Sequence, residues 1–162
     1  MRAHKALLAI PLALALAACG GGGKGDADDG AGAGKAGGGG RSATGTTVSV
    51  ADSGLGDILV DGKGRTLYAF TKDKDAASNC DAECIAVWPA LTSPSPAAAG
   101  RGAKASLLRE AKRSGGAVHV TYGDWPLYYY VGDAAPGDVN GQGLDGEWFA
   151  VAADGKLVRK SA

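Results

Sequence analysis

Three cysteines, two histidines and a few clustered carboxylates are the residues of this chain whose types and spacing could do chemistry. Cys80 and Cys84 stand four positions apart. On a helical turn that spacing puts their Cα atoms about 6 Å apart, within disulfide reach. C-x-x-x-C is neither the C-x-x-C of thiol oxidoreductases nor a haem-attachment motif, which would need a following histidine. A zinc site would need two further good ligands, and His119 lies in an alternating stretch that reads as a structural or surface strand position. The acidic cluster is Asp138-Val139-Asn140-Gly141-Gln142-Gly143-Leu144-Asp145. Oxygen donors at alternate positions and a glycine in sixth place resemble a calcium loop, but the fifth position is Gln142 and the twelfth is Phe149 instead of a bidentate glutamate. Asp138, Asn140 and Asp145 are therefore weak calcium candidates, with Asp133 and Glu147 close in sequence, and the competing reading is a turn-rich connector. Asp73, Asp75, Asn79 and Asp81 repeat the acidic pattern earlier in the chain. No Ser/His/Asp set, Cys/His nucleophile or cofactor loop is present, so no catalytic residue is assigned and no cofactor is expected.

These residues are organised around an aromatic phrase that occurs twice, Leu67-Tyr68-Ala69-Phe70-Thr71-Lys72-Asp73 and Leu127-Tyr128-Tyr129-Tyr130-Val131-Gly132-Asp133. An offset of 60 residues superposes the phrases and also carries Val60 onto Val120, Trp88 onto Trp148 and Ala90 onto Ala150. One offset that matches several features without a gap points to internal duplication. As strands, the phrases put Tyr68 with Phe70, and Tyr128 with Tyr130, on one face, and Leu67, Ala69, Leu127, Tyr129 and Val131 on the other. The simplest reading is that the rings, with Trp88 and Trp148, form the core of two equivalent half-domains, each ring contributing about 4–6 kcal/mol of gross burial. The competing reading is an exposed aromatic binding face. Asp73 and Asp133 follow the strands where the chain must turn, and a carboxylate there caps backbone N–H groups.

The N-terminus sets the compartment. Arg2 and Lys5 precede an apolar run over residues 6–15, and Leu16-Ala17-Ala18-Cys19 closes it. This is a secretory signal, too short for a membrane span of about 20 residues. The L-A-A-C tetrad resembles the bacterial lipobox, which implies cleavage before Cys19, a diacylglyceryl thioether on it, and two acyl chains in the membrane. Residues 19–45 are almost wholly Gly, Ala, Asp, Lys, Ser and Thr, with no large apolar side chain to offset ordering entropy. They read as a flexible tether with a reach of roughly 25–30 Å. Formal charge is zero and becomes about −2 once Arg2 and Lys5 are removed, so no attraction to nucleic acid is indicated. With Cys19 lipidated, Cys80 and Cys84 are the remaining thiols of an oxidising compartment, which favours a disulfide over a redox or metal dithiol.

The folded unit is expected over residues 46–162. Thr47–Val50 and Ile58–Val60 read as strands, residues 61–64 as a turn, and Arg65–Phe70 as the returning aromatic strand. Ala117–Val120, Gly123-Asp124 and Leu127–Val131 repeat that plan, and Trp148–Val151 with Leu157-Val158 reads as a closing hairpin. Residues 92–102 are a Pro/Ala/Gly-rich loop. Lys104–Arg113 has helical propensity, but the duplication aligns it with the first strand and favours β. The expected fold is mainly β, α+β with a minor helix. Two tandem β-hairpin repeats (about 47–100 and 106–158) make one small domain behind the 1–18 signal.

The lipobox, both L-Y-x-[FWY]-x-x-D phrases, S-N-C-x-x-x-C-x-x-x-W-P over residues 78–89 and P-G-D-x-x-G-Q-G over residues 136–143 occur together. This combination resembles the bacterial secreted-repeat lipoproteins named for their Y-x-[FWY]-x-x-D motif, and it covers residues 47–155. The resemblance implies an extracytoplasmic, membrane-attached module with no established reaction. Two functional readings stand beside it. One is a non-enzymatic envelope module that binds an envelope protein, a polymer or a small apolar ligand. The other is an envelope enzyme or a redox or calcium protein, and some relatives are loosely associated with hydrocarbon use.

Overall fold

The computed structural model describes residues 45–112 and 116–162. The expected signal, Cys19 and the tether up to residue 44 lie outside the described residues. Thr47–Ser53 (β1) alternates apolar with polar side chains, and Gly56–Asp61 (β2) folds back on it in the antiparallel register Val48↔Asp61, Val50↔Leu59, Ser53↔Gly56. Ser53 makes the reversal, its Oγ accepting from Leu55 N–H and donating to the Gly56 carbonyl. A second reversal follows at Asp61, whose Oδ1 accepts the N–H groups of Lys63 (2.9 Å) and Arg65 (3.0 Å). The chain returns beside β2 only as far as Leu67, and Tyr68–Phe70 (β3) leaves to pair with residues 148–150. Ala82–Val87 (α1) is capped by Asp81, which accepts from Cys84 N–H at 2.9 Å. Ala98–Ala99 (β4) lies parallel to β1.

The second half repeats the plan. Leu108–Lys112 (β5) and Val118–Tyr122 (β6) form a hairpin in the register Leu108↔Tyr122, Glu110↔Val120, Lys112↔Val118, edged by Trp125–Pro126 (β7). The stretch from Lys104 therefore holds a turn and a strand instead of a helix, as the duplication favours. Trp148–Ala150 (β8) pairs antiparallel with β3, and the chain then doubles back through Asp154-Gly155 so that Val158 N–H reaches Ala150 O. The described residues are mainly β with one short α-helix.

The hydrogen bonds correct one alignment. Leu67 N–H donates to Leu59 O (3.0 Å), and Leu127 N–H donates to Val120 O (3.0 Å). The partner of Val120 is therefore Leu59, and Val60 matches Thr121. The offset is 61 residues before the hairpin turn and 60 from Thr66 onward, because the turn Asp61–Arg65 is one residue longer than Tyr122–Trp125.

Each half closes on a ring of three backbone bonds. Leu59 N–H donates to Val151 O (2.7 Å), Val151 N–H to Leu67 O (3.3 Å), and Leu67 N–H to Leu59 O. In the other half Val120 N–H donates to Leu91 O (2.9 Å), Leu91 N–H to Leu127 O (2.8 Å), and Leu127 N–H to Val120 O. Leu91 and Val151 have changed sides: each completes the half it does not come from. Between the rings, Tyr68 and Tyr128 exchange both backbone hydrogen bonds at 2.9 Å, which places the pseudo-two-fold axis between them.

The expected alternation holds, but both strand faces are covered. Tyr68, Phe70, Trp88, Tyr128 and Trp148 lie in one buried cluster with Ile58 and Val60, against which Tyr130 packs. Leu67, Ala69 and Leu127 lie in a second, with Val48, Leu59, Leu91, Val120, Tyr122 and Val151, against which Tyr129 packs. The two aromatic phrases run between two cores. The first does so as β3; the second, expected as a strand over Leu127–Val131, is held by isolated bridges of Tyr128 to Tyr68 and Ala90.

Candidate functional site

The duplicated phrase builds a symmetrical centre. Tyr68 Oη donates to Asp133 Oδ2 (2.8 Å), and Tyr128 Oη donates to Asp73 Oδ2 (2.6 Å), so each tyrosine reaches the aspartate of the other repeat. The second oxygen of each carboxylate holds its own loop: Asp73 Oδ1 accepts Asn79 N–H (2.7 Å) and Asp133 Oδ1 accepts Asn140 N–H (2.9 Å). The two asparagine side chains then donate to Lys72 O and Gly132 O. Capping of backbone N–H groups by Asp73 and Asp133 is thus half of their role. The other half, a bond across the pseudo-two-fold, is set by long-range pairing. Burial, and then the Asp133 carboxylate, push the Tyr68 phenol pKa well up, so it remains a donor. Asp133 is itself raised above the ordinary carboxylate value, by burial first and by the charge of Asp138, against hydrogen bonds from Tyr68 and Asn140.

Beneath these bonds the rings form a column, Phe70–Trp148–Trp88–Tyr130, with centroid separations of 4.4, 3.8 and 4.5 Å. The tryptophans stack at an interplanar angle of 2° across the pseudo-two-fold, and Tyr68 and Tyr128 meet Trp88 and Trp148 edge-on at 5.5 and 5.3 Å. Gly141 belongs here because a Cβ on it would stand 2.9 Å from both the Trp88 and Tyr68 rings. Its N–H donates to Tyr68 Oη (3.2 Å).

The other chemical candidates are absorbed into the frame. Cys80 and Cys84 form a disulfide, Cα–Cα 5.3 Å, across the start of α1. His119 is buried, with Nε2 2.7 Å from Leu127 O and its ring edge-on to Tyr128 at 4.8 Å, and it borders a cavity of about 470 Å³ with Ser78, Cys80 and Glu110. Asp138 Oδ2 accepts the N–H groups of Ala134 and Ala135. Asn140 donates its backbone N–H to Asp133 Oδ1 and its Nδ2 to Gly132 O, and Asp145 sits at a left-handed φ of +55° in a single 3-10 turn. Among the described residues no group of three or more His, Cys, Asp or Glu side chains converges as a metal site. Gln142, which counts against a calcium loop in the sequence, ties this loop down: Oε1 accepts Ala150 N–H, and Nε2 donates to Val158 O and Lys160 O.

A second group, missed by sequence reasoning, lies where the halves differ. Asp61 Oδ2 accepts Arg65 Nε (2.9 Å), Arg65 Nη2 (2.7 Å) and Tyr129 Oη (3.1 Å), and the guanidinium carbon stands 3.9 Å above the Tyr129 ring. Burial raises the Asp61 pKa, but the hydrogen bonds from Arg65 and Lys63 outweigh it and hold the carboxyl below its ordinary value. Burial, and then the Asp61 charge, push the Tyr129 phenol up. These residues, with Thr46, Thr47, Gly62, Lys63, Ala90 and Thr92, line a cavity of about 570 Å³. In the other half the same backbone positions carry Tyr122, Trp125 and Ala69, which pack into the second core. The signal available in the sequence was the unlike pair Ala69 and Tyr129 between the shared Leu-Tyr and the next aromatic of each phrase.

The family model described as a secreted repeat of unknown function matches residues 49–92 and 110–152. The chain belongs to this family. Each matched secreted repeat ends one residue past the exchanged Leu91 or Val151, so the repeat unit includes the strand it gives away. Neither the comparison with curated proteins nor that with solved structures found a match. The secreted repeats place the domain outside the cytoplasm. Among the described residues no helix is long and apolar enough to cross a membrane.

Proposed function

We propose that this protein is a non-enzymatic binding or structural module of the bacterial envelope, attached to the outer face of the membrane through a lipidated Cys19. The L-A-A-C tetrad and the Gly-rich stretch after it support the anchor and the tether. The observation that carries the non-enzymatic reading is the fate of the motif. Tyr68, Tyr128, Asp73, Asp133, Trp88 and Trp148 are all engaged with one another across the pseudo-two-fold and largely buried. A tyrosine–carboxylate pair that holds the centre of a scaffold keeps both groups from a substrate, and the raised pKa of the Tyr68 phenol makes it a poor general acid near neutrality. The recurring phrase thus serves as a frame, and recognition falls to the surfaces where the repeats differ.

Fractionation of cells producing Cys19→Ser tests the anchor, with release from the membrane expected. Mass-spectrometric analysis of small molecules and proteins co-purifying with the native protein from its own envelope tests the binding role. Turnover of any substrate by the purified protein, lost on Asp73→Asn or Asp133→Asn while the fold survives, would overturn the non-enzymatic reading.

A further inference from the structure

We infer that the cavity walled by Lys63, Arg65 and Tyr129 binds a small carboxylate with a hydroxylated body, a hydroxy acid or sugar acid. This deepens the binding reading above and rests on it. The inference starts from the pseudo-symmetry. The two halves share register, backbone rings and aromatic column, yet at one peripheral position they carry opposite chemistry. In one half, Tyr122 and Trp125 beside Ala69 pack into the second core, with Tyr122 Oη closed off between Lys104 N–H and Ala153 O. Asp61 and Arg65 beside Tyr129 face a cavity in the other. Stability alone is served by the apolar solution, since replacing a partly buried ion pair by packed apolar side chains is usually neutral or favourable. Asp61 caps its own turn, but that role does not account for the 45 % exposed Arg65 side chain and the cavity beside it.

The charges set the ligand's sign. Asp61 is saturated by Lys63 N–H, Arg65 N–H, the Arg65 side chain and Tyr129 Oη, and its side chain is only 7 % exposed. It acts as an anchor for the guanidinium and offers nothing to a ligand. Arg65 is held in one orientation through Nε and Nη2 and by stacking on Tyr129, yet 45 % of its side chain stays exposed. A planar guanidinium fixed in this way suits a carboxylate. Lys63 on the same wall brings the local charge to +1, which a monoanion balances. A phosphate dianion would leave excess negative charge beside Asp61, a mismatch that disfavours it.

The walls describe the rest of the ligand. A volume of about 570 Å³ is far more than a bare carboxylate fills and lies within the range of small-molecule sites. Thr46, Thr47, Thr92 and the backbone at Gly45 and Gly62 give hydroxyl and amide groups, with Ala90 as the one aliphatic wall. Arg65 already covers one face of the Tyr129 ring. A polar, hydroxyl-bearing body fits such a lining, and a hydrocarbon chain does not.

The test uses the full exported chain with Cys19→Ser, isotope-labelled for amide NMR and titrated separately with galacturonate, galactose and inorganic phosphate. Saturable shifts at Thr47, Gly62, Lys63 and Thr92 with galacturonate are expected, with no response to galactose and a weaker one to phosphate. Lys63→Ala, at an exposed side chain, should keep the melting temperature and weaken galacturonate roughly tenfold, as should raising NaCl to about 0.5 M. Arg65→Lys should weaken it at least as much while keeping a cation beside Asp61. Equal responses to galactose and galacturonate, a stronger response to phosphate, or no shifts at these amides would each overturn the inference. Envelope partners that still co-purify with Lys63→Ala would leave the binding role standing and place it elsewhere on the domain.

Discussion

Loss of the two cross-repeat hydroxyls should be unequal, although the motif presents them as equivalents. Tyr128 donates at 2.6 Å to Asp73, a carboxylate only 3 % exposed, whereas Tyr68 donates at 2.8 Å to the half-buried Asp133. A hydrogen bond to a charged group contributes about 1.5–3 kcal/mol, with the upper end applying where water cannot replace the donor. Tyr128→Phe should therefore cost about 2–3 kcal/mol and Tyr68→Phe about 1–2 kcal/mol, where solvent recovers part of the loss. The hydroxyls serve different carboxylates on opposite sides of the axis, so the double variant should lose about 3–5 kcal/mol, near the sum. That is a large share of a total of about 5–15 kcal/mol. Urea unfolding followed by tryptophan fluorescence reads these losses as midpoint shifts at constant slope, because Trp88 and Trp148 sit in the column beneath both bonds. A Tyr68→Phe loss equal to or above that of Tyr128→Phe would refute the burial argument. Losses below about 0.5 kcal/mol in both would refute the cross-repeat bonds as stabilising contacts.

Trp88→Ala and Trp148→Ala should each cost about 3–5 kcal/mol by removing half of the central stack, measured as urea midpoints. Alkylation without reduction should label neither Cys80 nor Cys84 in the exported protein, and reduction should lower stability by only about 2 kcal/mol because the closed loop is short. The two shifted aspartates give opposite pH slopes. Asp61 has a lowered folded pKa, so its contribution is complete above its ordinary value and is lost as pH falls through the folded one; the melting-temperature gap between wild type and Asp61→Asn should narrow as pH falls below about 4. Asp133 has a raised folded pKa, so it favours the fold below its ordinary value and loses that contribution as pH rises; Asp133→Asn should gain on wild type as pH rises above about 4.

What the sequence made legible was local or periodic. The two aromatic phrases fixed the faces of Tyr68, Phe70, Tyr128 and Tyr130, because side-chain alternation needs no knowledge of the partner strand, although only the first forms a regular strand. The i, i+4 cysteine spacing gave the disulfide because the geometry is confined to one turn. The pairing of β3 with β8 was not legible, since it joins residues some 80 positions apart and the intervening chain offers other partners. The single-offset alignment hid the extra residue in the Asp61–Arg65 turn, so Val60 was set against Val120 in place of Leu59. Tyr129 looked like a free position between two fixed aromatics. With both faces of its strand covered, it packs on the second core and bonds Asp61, and its truncation carries a real cost.

The exchange of ends explains why variation is confined to the periphery. Because Leu91 and Val151 each complete the opposite backbone ring, neither repeat holds a closed core of its own. A change at Tyr68, Trp88 or Asp73 is therefore felt by both halves at once. Positions away from the axis lie outside the backbone rings and the aromatic column, and there the duplicated residues have parted company. Thr71 N–H to Glu147 O (2.9 Å) matches Val131 N–H to Val87 O (3.1 Å). Yet the first pair carries the Lys72–Glu147 ion pair at 2.6 Å, while the second exposes valines at 44 % and 60 %. Asp61 and Arg65 set against Tyr122 and Trp125 follow the same rule. Duplication supplies two copies of every peripheral site on a frame that needs only its centre to match, so one copy can go on serving the core while the other acquires a polar cavity.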